Sequence, residues 1–254
     1  MGMIDTDNDA VGHAFYDYYK QGKASTLWCN IKGVGDDIVP IEYYFRSYTD
    51  MPEIEKTALS LCSGLILDVG AGSGCHTLAL QDQGKDVTAI DISPLCVKTM
   101  ALRGVHKVFL MDFFSVTDRY DTVLLLMNGL GIAKRIDLLP LLFKQLDTIM
   151  NPQGQLLCSS FDICDVNDTD SNNRDYYQEV RYQMRYKNVI GEPFDWFSIG
   201  VGKLRQITEA NGFSMTVVKQ GEEYEYLARI TRKNHLTNHL LGSRTDWNKI
   251  QYPL

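Results

Sequence analysis

Short apolar runs alternate with segments of helical periodicity through the middle of the chain. Five runs predict buried strands, at residues 65–69, 86–90, 107–111, 120–127 and 155–160. Segments with apolar residues at helical spacing lie between them, at residues 75–83, 93–103 and 137–150. The fourth run contains Val123–Leu126, which is apolar on both faces, as a central parallel strand should be. This alternation predicts an α/β fold, in which helices cover both faces of an open parallel sheet.

The alternation stops after residue 161, and the pattern there predicts an inserted hairpin. Residues 162–174 are rich in Asp, Asn, Ser and Thr and predict a loop. Apolar and polar residues then alternate over 180–187, and a Gly-Glu-Pro turn leads into the apolar stretch 194–199. Together these features are typical of two antiparallel strands joined by a turn.

The end of the chain predicts a reversed edge of the sheet. A helix around 201–211 precedes strands at 213–219 and 224–231, and the turn between these strands is too short for a crossover. The last two strands are therefore expected to be antiparallel. The chain is divided into an N-terminal helical cap (1–60), a core (61–231) with a hairpin inserted at about 176–199, and a tail (232–254).

Composition and charge exclude several classes of protein. The chain has 254 residues, 44% of them hydrophobic, and its 25 Lys and Arg against 32 Asp and Glu give a net charge of −7. This composition is typical of a soluble globular protein, and the acidic balance disfavours a nucleic-acid or anionic-membrane partner. The six cysteines form no C-x-x-C pair, the N-terminus does not resemble a signal peptide, and no apolar run is long enough for a membrane span. We expect a cytoplasmic protein with reduced thiols and no metal site.

The segment from Asp68 to Gly74 carries the clearest chemical signal. Here a strand runs into a turn with glycine at 70, 72 and 74 and then into a helix, and such a turn lets a ligand lie against the main chain. A glycine-rich turn without a ligand is the alternative for the glycines alone. A dinucleotide fingerprint would place its third glycine one residue later, and Asp68 would lie close to a pyrophosphate. A carboxylate at this position suits the positive sulfonium and ammonium groups of S-adenosylmethionine, and therefore favours that cofactor over NAD(P).

Three further polar residues end successive predicted strands. Asp91 follows the second strand, Asp112 the third and Asn128 the fourth, and all lie at the edge where open α/β sheets bind ligands. Asp91 can accept both ribose hydroxyls, and Asp112 can accept the adenine amine with Phe113 packed beside the ring. Asn128 would lie where the reacting methyl group and its acceptor meet. One acid at a strand end is usually a helix cap, whereas this set in register is typical of a cofactor site.

The ordered motifs resemble those of class I S-adenosylmethionine-dependent methyltransferases. The similar segments are 68–74, 89–93, 111–113 and 151–154, and the resemblance covers about residues 60–231. It implies a Rossmann-like, seven-stranded, mostly parallel sheet with S-adenosylmethionine as the cofactor. It also implies a set of cofactor-binding positions, with the last two near the cofactor carboxylate: Asp68, Gly70, Gly72, Gly74, Asp91, Ile92, Asp112, Tyr44 and Arg46.

One segment departs from a pattern found in part of that family. Methyltransferases that act on nucleobases and amides carry an (Asn/Asp/Ser)-Pro-Pro-(Tyr/Phe) motif after the fourth strand, where this chain has Met127–Leu130. The departure argues against a nucleobase amine or a glutamine amide as the acceptor. No basic domain is attached to the core either, which is consistent with a small-molecule acceptor.

Weaker signals supply candidates for catalysis and substrate binding. His76 at the start of a helix could touch the cofactor or serve as a general base, as could Asp195, although a histidine with only local contacts is the alternative. Tyr182 and Trp196 in the inserted hairpin, and Tyr16 in an aromatic N-terminal helix, are candidates for the substrate pocket. The hairpin could equally pack on the sheet or form a dimer contact, and the helix could simply cover the sheet.

We therefore expect a methyltransferase that moves the methyl group of S-adenosylmethionine to an O, N or C atom of a small molecule. The protein is expected to be a monomer or a homodimer. Two alternatives remain open at this point: an NAD(P)-dependent oxidoreductase that uses the same sheet edge, and a non-catalytic, S-adenosylmethionine-binding regulatory protein.

Overall fold

A computed structural model of the chain describes residues 2–162, 177–222 and 224–233. The helices in this part are α1 (Ala10–Gln21), α2 (Glu53–Leu61), α3 (Cys75–Asp82), α4 (Pro94–Arg103), α5 (Leu139–Ile149) and α6 (Val201–Ala210). The strands are β1 (Leu27–Ile31), β2 (Gly35–Val39), β3 (Leu65–Val69), β4 (Asp86–Asp91), β5 (Val108–Leu110), β6 (Tyr120–Leu125), β7 (Met150–Phe161), β8 (Tyr177–Tyr186), β9 (Val189–Ile190), β10 (Phe194–Ile199), β11 (Phe213–Gln220) and β12 (Glu225–Arg232). Most of the predicted tail (232–254) lies outside the described residues.

The larger sheet has seven strands in the order β11-β12-β7-β6-β3-β4-β5. The five strands from β3 to β7 are parallel, whereas β12 runs antiparallel to β7 and β11 antiparallel to β12. The predicted Rossmann-like sheet with a reversed edge is therefore confirmed. The turn expected at 151–154 is a bulge inside β7. Tyr120 of β6 pairs with Met150, and Thr122, two residues later, pairs with Gln155, so the intervening residues of β7 loop out of register.

Local sequence explains where the helices begin and end. The Ser93 hydroxyl caps α4 by accepting a hydrogen bond from the Cys96 amide at 2.9 Å, Pro94 occupies the first turn, and Gly104 ends the helix with a φ of 97°. These are the signals that predict this helix from the sequence. Apolar residues of α5 and α6 pack on one face of the large sheet, and those of α2 and α3 pack on the other.

A second, antiparallel sheet joins two distant segments of the chain. Its order is β10-β8-β1-β2, with β9 paired to β8, and Leu27 of β1 lies opposite Tyr186 of β8. The inserted hairpin predicted at about 176–199 is present as β8 to β10. The segment expected to be a helical cap contains α1 and α2 but also the β1–β2 hairpin, which the sequence analysis did not predict. β2 contains a glycine and two aspartates, residues that disfavour strands, and β1 is stabilised by β8, whose paired residues lie more than 150 positions further along the chain.

In the part of the chain covered by the structure, no helix combines the length and the apolar character needed to cross a membrane. Five of the cysteines are buried free thiols, and Cys164 lies outside the described residues.

Trp196 of β10 fixes the second sheet to the first. Its indole Nε1 donates a hydrogen bond to the Asn128 carbonyl at 3.0 Å, and its ring covers Gly131 in the segment after β6. A Cβ atom built on Gly131 would lie 2.1 Å from the indole ring, so a side chain cannot fit there without displacing Trp196.

We expect Gly131→Ala to lower the free energy of unfolding by about 1–3 kcal/mol, the usual cost of overpacking a well-filled site. Urea unfolding measures this change. Gly2→Ala is the matched control, because a Cβ atom at Gly2 would meet nothing within 4 Å. Equal stability of the two variants would contradict the role given to the Trp196–Gly131 contact.

Candidate active site

The carboxyl ends of β6, β3, β4 and β5 meet at one edge of the large sheet. Because these strands are parallel neighbours, the residues at their ends lie side by side. Asp68 lies one residue before the end of β3, Asp91 ends β4, Asp112 follows β5 and Asn128 follows β6. The structure therefore brings together the four polar residues that the sequence places at strand ends.

The three glycines of the turn after β3 have different tasks. All three have positive φ values, of 67° at Gly70, 58° at Gly72 and 84° at Gly74. A Cβ atom at Gly74 would contact Met100 and Val105, so this glycine lets the turn pack against α4. The ring of Phe15 lies 3.4 Å from the corresponding position at Gly72, whereas the space next to Gly70 is open. Gly70 is thus the position where a ligand can lie on the main chain.

Asp91 is a buried carboxylate that binds the glycine turn. Its Oδ2 accepts a hydrogen bond from the Gly72 amide at 2.8 Å, and its Oδ1 accepts one from the Ser93 amide at 2.9 Å. Burial raises the pKa of Asp91 to about 6, although these amides oppose the shift. Ile92, the next residue, is half-buried, and its carbonyl accepts a hydrogen bond from the Ile4 amide at 2.9 Å.

Asp68 is buried below the turn, with only 3% of its surface exposed. Its carboxylate accepts a hydrogen bond from the Thr77 hydroxyl at 2.6 Å, in the first turn of α3. Burial raises its pKa, and the nearby His76 and Thr77 offset only part of this shift. Asp68 therefore holds the start of α3 in addition to any contact with a ligand.

Asp112 lies just after the third parallel strand, but Phe113 beside it does not face the candidate site as predicted. Asp112 accepts a hydrogen bond from the Phe114 amide at 2.8 Å and so caps the short 3₁₀ turn that follows. Phe113, expected to pack on an adenine ring, points into the core and is only 4% exposed, whereas Phe114 is 37% exposed. The prediction for Phe113 is therefore corrected, because the 3₁₀ turn rotates the first aromatic ring under the sheet.

A buried polar cluster, the Glu55 cluster, lies between α2, α3 and the segment before α2. Arg46 donates to Glu55 Oε2 from Nε at 3.1 Å and from Nη2 at 2.5 Å, and His76 Nε2 lies 3.0 Å from the same oxygen. Tyr43 donates its hydroxyl to Glu55 Oε1 at 3.2 Å. Burial alone would raise the pKa of Glu55, but the hydrogen bonds and charges of His76 and Arg46 outweigh it and lower the pKa overall.

The Glu55 cluster adjoins the candidate cofactor edge. His76 is the second residue of α3, directly after the glycine turn, and Arg46 Nη2 lies 3.5 Å from the sulfur of Met127, the residue before Asn128. Predicted positions Arg46 and His76 thus lie together, and they are joined by a residue, Glu55, that the sequence analysis missed. An acid in the first turn of a helix is common, and the partners of Glu55 are 9 and 21 residues away, so the local pattern carries no signal for it.

Asn128 has a different task from the one expected. Its Nδ2 donates to the Phe197 carbonyl and to the Ser198 hydroxyl, both at 3.0 Å, and its Oδ1 accepts from the Ser160 hydroxyl at 2.8 Å. The side chain is therefore occupied by β7 and β10 and is not free to meet a reacting group. Met127 and Asn128 both have positive φ values, of 54° and 60°, which non-glycine residues rarely adopt.

Two other candidates do not reach this edge. Asp195 points to the opposite face of β10 from Trp196 and pairs with Arg181 at 3.0 Å, which argues against its role as a general base. Tyr16 lies against α4, where the Lys98 ammonium is 4.5 Å from its ring centroid, so the aromatic residue of α1 next to the glycine turn is Phe15. Tyr182 lines the same cavity as Asn128, and its ring centroid is 5.8 Å from that of Phe194.

Comparisons with known proteins agree with this geometry. A family model described as "Methyltransferase domain" matches residues 48–218. Among solved structures, a SAM-dependent methyltransferase from Bacteroides fragilis, in complex with S-adenosyl-L-homocysteine, is 38% identical, with a TM-score of 0.85 over 92% of this chain and 98% of that one. The CcbJ methyltransferase from Streptomyces caelestis, at 13% identity, shares the fold with a TM-score of 0.57 over 90% of this chain and 98% of its own.

A shorter match links the chain to a curated protein. A ubiquinone biosynthesis O-methyltransferase from Xylella fastidiosa (strain M23) is 40% identical over 55 residues, which is 22% of each protein. The match thus spans about a fifth of the length of that relative.

The chain belongs to the family of S-adenosylmethionine-dependent methyltransferases. The resemblance and the prediction of S-adenosylmethionine as the cofactor are both confirmed, because the similar Bacteroides fragilis structure contains the demethylated form of that cofactor.

The Glu55 cluster gives a prediction for stability. Glu55→Ala would leave the buried Arg46 guanidinium without its partner, and we expect a loss of about 3–5 kcal/mol in the free energy of unfolding at neutral pH. Because the pKa of Glu55 is lowered in the folded state, its stabilisation is present above the unfolded-state pKa and is lost as the pH falls through the folded value. The difference between wild type and variant should therefore shrink in acid.

Glu53→Ala is the matched control for this prediction. Glu53 lies in the same helix turn and pairs with Lys56 at 3.2 Å, but its side chain is largely exposed. Its loss should cost less than about 1 kcal/mol in urea unfolding. A similar loss of unfolding free energy in the two variants would show that the Glu55 cluster contributes no more to stability than an exposed ion pair.

Proposed function

We propose that the chain methylates a small molecule in the cytoplasm, with S-adenosylmethionine held at the carboxyl edge of β3, β4 and β5. The observation that carries this proposal is the open space at Gly70 between the buried carboxylates Asp68 and Asp91. Gly70 is exposed and adopts a left-handed conformation that disfavours side chains, so the main chain there stays accessible to a ligand. The residues present therefore fit this cofactor.

Each residue at this edge has a proposed task toward the cofactor. Asp91 accepts the ribose hydroxyls, with Gly70 and Gly72 beneath the ligand, and Asp112 accepts the adenine amine. The exposed ring of Phe114, rather than Phe113, is the aromatic surface available beside the adenine. Arg46, fixed by Glu55, provides positive charge and hydrogen-bond donors for a carboxylate next to the glycine turn, and His76 lies beside it.

When bound, S-adenosylmethionine supplies a methyl group on a sulfonium, which is already an activated leaving group. The chain contributes alignment and exclusion of water. Phe15 covers the glycine turn from the side of α1, and the second sheet covers the edge next to Asn128. His76 is engaged with Glu55 and Asp195 faces away, so we assign no general base to the reaction.

A small-molecule acceptor is supported by the net charge of −7 and by the missing Pro-Pro motif after β6. The curated O-methyltransferase of ubiquinone biosynthesis acts in a small-molecule pathway, which favours the same class of acceptor, although the match covers only 55 residues. We propose that no nucleic acid binds and that the protein acts as a monomer or a homodimer.

Calorimetric titration with S-adenosylhomocysteine and with NAD tests the cofactor assignment. We expect S-adenosylhomocysteine to bind in the micromolar range, about −8 kcal/mol, and NAD to show no heat of binding. Binding of NAD alone would favour the oxidoreductase. Tight binding of S-adenosylhomocysteine with no methyl transfer across a broad acceptor panel would favour a regulatory protein.

Asp91 gives a pH dependence with a defined sign. Its pKa of about 6 means that the carboxyl group takes up a proton as the pH falls below this value, and the protonated group is a poorer acceptor for two hydroxyls. We expect the affinity for S-adenosylhomocysteine to fall about tenfold between pH 7 and pH 5. Asp91→Asn should bind more weakly at pH 7 and should lose this dependence. The same pH profile in both proteins would rule out the proposed contact.

A further inference from the structure

A cavity of about 450 Å³ lies on the other side of Asn128 from the cofactor edge, between the two sheets. Its size is within the usual range for small-molecule pockets. Asn128 contributes to its wall, together with Ser198 of β10. Because β6 lies between β3 and β7 in the large sheet, the cavity and the glycine turn are on opposite sides of the segment after β6.

Four of the eight residues that line the cavity are aromatic. Phe161 ends β7, Tyr182 lies on β8, Phe197 lies on β10, and Tyr224 precedes β12. Tyr224 is 71% exposed and has a φ of 66°, a conformation that bulky residues seldom adopt, so its ring is held at the rim at some cost in backbone strain. Aromatic rings in this arrangement favour a flat, apolar ring as ligand.

The cavity contains no charged side chain among the residues described as lining it. The charged residues of β8, such as Glu179 and Arg181, alternate with the lining residues and face the other way. A carboxylate or phosphate group would lose its hydration there without gaining a partner, which is costly. Within the described part of the lining, a ligand with a full charge therefore finds no partner of opposite charge.

Two polar groups remain available to a neutral ligand. In the described part of the chain, the Tyr182 hydroxyl and the Gln178 amide have no hydrogen-bond partner, whereas Asn128 is saturated by Ser160, Phe197 and Ser198. Burial raises the pKa of Tyr182, so its hydroxyl stays protonated and can donate. Gln178 offers both a donor and an acceptor at the same wall.

We infer that this cavity binds the methyl acceptor, and that the acceptor is an uncharged aromatic molecule with at least one hydroxyl or amine. The inference rests on the proposed function, because it takes the cofactor to lie at the neighbouring edge. Tyr182 and Gln178 lie four residues apart on β8, so they recognise polar groups at different ends of the acceptor, and the aromatic side chains contact its ring. Tyr182 and Gln178 are thus specificity-determining residues.

The experiment uses the full chain saturated with S-adenosylhomocysteine and two probes of the same shape, 2-naphthol and 2-naphthoate. Saturation-transfer NMR measures the affinity of each probe. We expect the neutral 2-naphthol to bind about tenfold more tightly than the anionic 2-naphthoate, because the cavity offers the carboxylate no partner. Equal or tighter binding of 2-naphthoate would overturn the inference.

Variants place the probe in the cavity. Val180 lines the wall, so Val180→Phe should lower the affinity for 2-naphthol about tenfold by filling the space. Val34→Phe is the matched control on the same sheet, because Val34 is exposed in the turn between β1 and β2 and should leave the affinity unchanged. Tyr182→Phe removes only the hydroxyl, and we expect a loss of about two- to tenfold. Unchanged binding in both cavity variants would refute the inference.

Calorimetry with S-adenosylhomocysteine on the same proteins separates the two proposals and checks folding. We expect wild-type affinity in the Val180, Tyr182 and Val34 variants. If the wild-type chain binds S-adenosylhomocysteine but not 2-naphthol, the acceptor inference fails and the proposed function stands. If it does not bind S-adenosylhomocysteine, the proposed function fails.

Discussion

The hydrogen bonds of Asn128 join the two sheets, and the arrangement of the site depends on them. The Asn128 side-chain amide connects the segment after β6 to Ser160 of β7 and to Ser198 of β10. The backbone carbonyl of Asn128 accepts a hydrogen bond from the Trp196 indole. Buried polar groups that are fully satisfied fix one arrangement of their neighbours. The cofactor edge and the aromatic cavity are therefore held at a constant separation by a residue that contacts both but has no free group for chemistry. The positive φ values at Met127 and Asn128 are the backbone strain that accompanies this placement.

Charge is distributed unevenly between the two halves of the site. The cofactor side contains buried carboxylates at Asp68 and Asp91 and the Arg46–Glu55–His76 group, so it suits a ligand with charges of both signs. On the cavity side, the lining residues that the structure describes are all uncharged. The proposed transfer from a sulfonium to a neutral acceptor would have matching requirements, because the positive charge would begin on one side of Asn128 and the acceptor would lie on the other. In such a site, the charged side chains bind the cofactor, and the alignment of the methyl group with the acceptor accelerates the transfer.

The sequence alone identifies the large sheet, the glycine turn and the acids at the strand ends, because these features depend on neighbouring residues. It does not reveal features that depend on distant contacts. Glu55 has the pattern of an ordinary first-turn acid, and its partners come from other elements. The choice between Phe113 and Phe114 depends on a 3₁₀ turn after a strand of only three residues, where alternation cannot be counted reliably. The sequence places Asn128 after the fourth parallel strand, but its hydrogen bonds to β7 and β10 depend on how the inserted hairpin packs.

The second sheet is built from segments that are far apart in the chain, and this affects how the chain folds. β1 pairs with β8, and the Asp17 carboxylate accepts hydrogen bonds from Tyr186 and Lys187, which are 169 and 170 residues further along the chain. Contacts over such separations form slowly, because a long loop must close before they stabilise anything. During synthesis, the N-terminal hairpin emerges long before its partner strands and has no sheet to join. The large sheet can assemble first from local β-α-β units, and the cover over the active site is then completed last.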